Sequence, residues 1–138
     1  LPGSLTGDDL RSLRDAGMTI GSHGMDHRPW RGLPPEARER ELVTAREQIA
    51  AVAGTPVAEA ACPLGRYDRR LLADLRRLGY ARVHTSDRRH ARPGAWLQPR
   101  FSVRRDDTAA SLRTTVLPRP GPARRLRLEA TGLAKSLR

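Results

Sequence analysis

Helix signals alternate with short apolar runs along most of this chain, and that alternation constrains its fold more than any other feature. Thr6 to Ala16 reads as a helix, with the Thr6 hydroxyl capping its first turn, Asp9 as the capping-box partner and Gly17 closing the end. Met18-Thr19-Ile20 follows at once and predicts a buried strand over 18–22. Pro35 can open a long helix from Glu36 to Ala53, with Leu42, Ala45, Ile49 and Val52 on its apolar face. Glu36, Glu39, Arg40, Arg46 and Glu47 then fall on its solvated face, and Gly54 ends it. Val57 to Cys62 predicts a second strand, and Asp68 caps a helix from Arg69 to Leu78 with a leucine stripe. Tyr80 to Thr85 and Trp96 to Val103 predict two more strands, and Asp107 or Thr108 can cap a helix through Leu117. Strands separated by helices of this length point to an α/β fold.

The first predicted strand runs into Gly21-Ser22-His23-Gly24-Met25-Asp26-His27. Its C-terminal end is where α/β folds bind ligands, and a tight turn there can aim two neutral imidazoles at one divalent ion. The spacing alone is also compatible with two histidines that bind nothing. Cys62 reads as a small buried hydrophobe, because no histidine and acid accompany it as a nucleophile would need. His84 sits near the end of its strand and could face the same site. Trp30, in the turn-rich loop 28–35, reads either as a wall of the site or as a residue packed on the rim.

The blocks Leu5-Thr6-Gly7-Asp8-Asp9-Leu10 and Leu13 to His23, followed by His27, resemble the second block of the NodB-homology polysaccharide deacetylases (carbohydrate esterase family four). Pro63-Leu64-Gly65-Arg66-Tyr67-Asp68 is similar to the next block of that family, and Leu78-Gly79-Tyr80-Ala81 with Thr85-Ser86-Asp87 to the strand after it. The resemblance implies a partial distorted (β/α) barrel and metal-assisted removal of acetyl groups from amino sugars or polysaccharide. It implies His23 and His27 as ligands of a divalent metal, zinc first and cobalt or another divalent ion next. It implies a turn at Leu64 and Gly65 that meets the substrate and its oxyanion, and Arg100 of Pro99-Arg100 as the group that orients a catalytic aspartate, although the residues alone equally allow Arg100 to be an arginine on a solvated strand face. Leu64 stands where an aromatic is usual, and Ala61 where many members carry arginine.

At 138 residues the chain is small for a barrel, and it opens at Leu1 rather than Met. It reads as a fragment in which the family's first block, with its aspartate pair, is absent, so the fragment itself is expected to be inactive. No apolar run approaches the roughly 20 residues that cross a bilayer. The charge is lopsided: residues 1–87 carry 13 arginines against 12 acids, whereas 88–138 carry 12 arginines and one lysine against three. The sequence therefore divides into a deacetylase-like part, 1–117, and a basic tail, 118–138, broken by Pro118, Pro120, Gly121 and Pro122. Such a tail suits an anionic polymer, and the alternative function is a non-catalytic deacetylase-derived module that binds one. The oligomeric state and the compartment stay open.

Overall fold

The computed structural model describes residues 4–118 and 121–137. Pro120 and Arg138, to which the sequence reading extends, lie outside the described residues. Helix α1 (Gly7–Asp15) leads into β1 (Gly21–Ser22). A long helical segment follows, built of α2 (Pro35–Glu39), a π-helical stretch (Arg40–Thr44) and α3 (Ala45–Ala53). Then come β2 (Glu59–Ala61), a 3-10 turn (Pro63–Gly65), α4 (Arg69–Arg77), β3 (Arg82–Thr85) and β4 (Leu97–Pro99), with α5 (Ala109–Thr115) and α6 (Pro122–Leu137) closing the chain.

The four strands form one parallel sheet in the order β1-β2-β3-β4. Because every pair is parallel, all C-terminal strand ends lie on one edge of the sheet. Helices make the first two crossovers and the polar loop 86–96 makes the third, as parallel pairing requires a long connection. Alternation sorts the strand side chains onto two faces. Ser22, Ala60, Val83 and Thr85 are buried, while Gly21, Glu59, Ala61, Arg82 and His84 occupy the opposite, more open face. The core beneath the helices joins Leu42, Leu71, Leu75, Tyr80 and Val83 to Trp30 and Leu33 of the long loop.

Local signals set the helix ends. Thr6 caps α1 in a reciprocal box with Asp9, Asp68 caps α4 through Leu71 N–H, and Gly54 closes α3 at φ 64°. The strands are shorter than the apolar runs. Met18 is 57% exposed rather than buried, and β1 begins only at Gly21, the residue that finds a partner in Glu59. The fourth ladder likewise stops at Pro99, and Val103 is exposed.

Two readings of the long helical segment change. It contains the π-helical stretch Arg40–Thr44, and this turns Glu41 fully inward. Arg46 does not lie on a solvated face. Its Nε–H donates to Val57 O and an Nη1–H to Leu78 O, both at 2.6 Å, and its guanidinium stacks 4.5 Å from the centre of the Tyr80 ring. The basic C-terminal segment is helical in α6, which packs on α4 and reaches the third crossover through an Arg92–Glu129 ion pair of 2.5 Å.

Candidate metal centre

The two histidines sit where β1 ends. His23 is half-buried and His27 exposed, with ring centroids 4.9 Å apart and ring planes inclined by 55°. His23 Nδ1 lies 2.6 Å from Ala61 O on the neighbouring strand. A carbonyl oxygen can only accept, so Nδ1 carries the hydrogen and the Nε2 lone pair of the neutral ring is left available. This is the arrangement in which metal-binding histidines are held by a partner behind them. His27 is reached through Gly24 at φ 80° and itself adopts φ 50°.

Asp26 lies between the histidines, but its carboxylate is taken by Arg40, whose Nε and Nη2 donate to Oδ2 and Oδ1 at 3.0 and 2.9 Å. That two-pronged bond holds the Asp26 carboxyl below its ordinary value. Among the described residues, no group of three or more His, Cys, Asp or Glu side chains converges to hold a metal ion. Two neutral imidazoles at this distance have donor chemistry that fits a divalent transition metal.

The turn Pro63–Gly65 follows β2 on the same edge of the sheet. Gly65 N–H donates to Cys62 O at 3.0 Å and Arg66 N–H to Pro63 O at 3.2 Å. Proline has no N–H, so Leu64 is left as the amide these two turn bonds do not use. Leu64 holds φ 55° and is 58% exposed beside an open cleft of about 510 Å³ that Pro29, Arg31 and Tyr67 also line. Gly65 allows the turn to press on Ser86, the residue that follows β3, since a Cβ there would lie 2.8 Å from the Cβ of Ser86.

Arg100 follows β4 on the same edge. Its amide donates to Thr85 O at 2.9 Å, its carbonyl accepts from Arg88 N–H at 3.1 Å, and its side chain is exposed. Cys62 is fully buried, and burial pushes its thiol up to about 12, with the Asp87 charge adding and Arg100 opposing.

Three features of this edge are absent from the sequence reading. Asp87 accepts from Tyr67 O–H at 2.6 Å and Thr85 Oγ1–H at 2.8 Å. Burial, followed by that bond, pushes the Tyr67 hydroxyl well above its ordinary value. His84 and Glu59 are paired at 2.8 Å, and both line a cleft of about 210 Å³ shared with His23. Glu41 reaches the histidine loop from behind. Trp30 is packed rather than a wall of the site: it is 1% exposed, in the core, and its indole N–H donates to Glu41 at 3.1 Å. The signal for Glu41 was its place four residues before Ala45, on the apolar side of the helix.

A model of the polysaccharide deacetylase family matches residues 5–83, and the chain belongs to that family. The fold is similar to a polysaccharide deacetylase of Bacillus cereus, at TM-score 0.67 and 18% identity over 83% of this chain and 37% of that one. It is also similar to a Streptococcus pyogenes deacetylase solved in complex with acetate, at TM-score 0.72 and 20% identity over 85% and 53%. The four-stranded parallel sheet is therefore a part of the distorted barrel of these proteins, and the chain spans between 37% and 53% of their length. No curated protein matches the chain. No helix among the described residues is long and apolar enough to cross a membrane.

Proposed function

We propose that this chain contributes two metal ligands and the oxyanion turn to a divalent-metal hydrolase that removes acetyl groups from amino sugars or polysaccharide. The observation that carries the reading is the His23–Ala61 bond, which leaves Nε2 of His23 available on a ring whose centroid lies 4.9 Å from that of His27. His23 and His27 would hold the ion, zinc before cobalt, and the bound ion would supply an acidified water and a polarised acetyl carbonyl. Leu64 N–H would donate to the carbonyl oxygen as negative charge gathers there. Arg100, at the same edge, has the fixed donor fork that orients a carboxylate. The acetate in the Streptococcus pyogenes structure agrees with an acetyl-releasing reaction in the family.

The deacetylase part would extend over 1–117, with the basic segment 118–138 as an appendage. Zinc hydrolases use three protein ligands, so the 138-residue chain alone is expected to hold metal weakly and not to turn over substrate. The test is metal analysis of the full-length protein after dialysis against zinc, beside His23→Ala and His27→Ala, with acetate release from an acetylated amino-sugar oligomer measured before and after chelation. Near-stoichiometric zinc that both variants lose, and activity that chelation abolishes, supports the reading. A folded full-length protein that takes up no metal sinks it.

A further inference from the structure

The loop that carries His27 is gripped from the helix side by two consecutive residues of the π-helical stretch, Arg40 and Glu41. The Glu41 carboxylate is fully buried and accepts three N–H groups: Met25 amide at 3.0 Å, Asp26 amide at 3.2 Å and Trp30 indole at 3.1 Å. An ionised carboxylate only accepts, which suits a point where three donors converge and where a carboxamide would turn a donor against one of them. Gly24 makes the room. A Cβ there would collide with Glu41 Oε2 and stand 2.8 Å from Trp30 Nε1. Arg40 holds the same loop from the solvent side through both oxygens of Asp26. An extra residue in a helical turn changes which side chains face a neighbour, and such π-turns are frequent at functional sites.

The grip ends one residue before His27, whose φ of 50° lies in the left-handed region. A residue other than glycine stays there only where its surroundings impose the conformation. The surroundings here are the Asp26 amide, fixed by Glu41, and the Asp26 carboxylate, fixed by Arg40.

We propose that Arg40 and Glu41 are positioning residues for the divalent ion. Together they impose the strained turn that brings the His27 ring to the His23 ring. This rests on the metal reading of His23 and His27. A strut that served stability alone would leave ligand geometry untouched once the protein is folded, whereas a positioning pair sets it.

The experiment compares the full-length wild-type protein with Glu41→Gln and Arg40→Gln, reading zinc affinity, the visible spectrum of the cobalt-loaded protein and the melting of the metal-free protein. Zinc affinity is expected to fall about 10–100-fold in Glu41→Gln, the range typical of losing a group that orients metal ligands. Arg40→Gln is expected to lower it about tenfold, on the same grounds, with metal-free melting unchanged because Arg40 is exposed. Both variants should alter the cobalt bands, since those bands report ligand geometry. Should Glu41→Gln fail to fold, Arg40→Gln decides alone. Wild-type affinity and an unchanged cobalt spectrum in the folded variants overturn the proposal. A wild-type protein that takes up neither ion overturns the metal reading and this inference with it.

Discussion

The imidazole of His23, the residue that follows β1, and the backbone carbonyl of Ala61 on β2 are joined by a bond of 2.6 Å at the end of the parallel pairing of the two strands. The bond fixes which nitrogen of His23 bears the hydrogen. In the neutral ring of the metal-free protein, nitrogen NMR with long-range proton correlation should therefore show His23 as the Nδ1–H tautomer. Finding the Nε2–H form would remove the structural argument for His23 as a ligand through Nε2.

Cys62 offers a second check, on chemistry the fold should prevent. The thiol is fully buried and burial pushes it up to about 12, so at pH 8 it stands almost wholly in the protonated, unreactive form. Labelling by a disulfide reagent should be slow in the native protein and should follow the unfolding transition in urea. Prompt stoichiometric labelling at pH 8 without denaturant would show that the thiol is accessible and that the packing around β2 is wrong.

What the sequence made legible was local. Thr6 with Asp9, Asp68 and Gly54 announce helix ends within a turn of themselves, and Leu71 and Leu75 reveal a buried face by spacing alone. The histidine pair was legible as a spacing, and only resemblance gave that spacing a chemistry. The partners of the site were hidden because they are distant in sequence. Ala61 lies 38 residues from His23, and Glu41 lies 16 from Met25. Glu41 and Arg46 were also masked by residue type. Charged residues on a long helix are usually solvated, and both here are exceptions held by several hydrogen bonds. The strands were overestimated for a related reason: an apolar run shows where a strand fits, whereas a ladder needs partners in register.

Arg46 shows how much such a hidden contact contributes. Its guanidinium satisfies the carbonyls of Val57 and Leu78 and covers Tyr80, which in turn donates to Leu42 O at 2.8 Å. Arg46→Met keeps the length of the stem but leaves both carbonyls without this partner, at a cost of about 2 kcal/mol. The urea midpoint should fall accordingly, with little change in the slope of the transition. A midpoint equal to that of the wild type would mean that water replaces the arginine without penalty.

Asp9 makes the stability of α1 depend on pH in a definite direction. Its carboxylate accepts from the Thr6 hydroxyl at 2.7 Å and the Thr6 amide at 2.8 Å, and these bonds hold its carboxyl below the ordinary value of 3.8. In the unfolded chain the bonds are absent and the group titrates near that ordinary value. The folded state therefore binds the proton less readily, and the contribution is complete above about pH 4 and lost as pH falls through the lower, folded value. Asp9→Asn should unfold at lower urea than the wild type at pH 7, and the gap should narrow steadily below pH 4. A gap that keeps its size down to the lowest pH at which both proteins fold would show that the capping bonds do not depend on the ionised carboxylate.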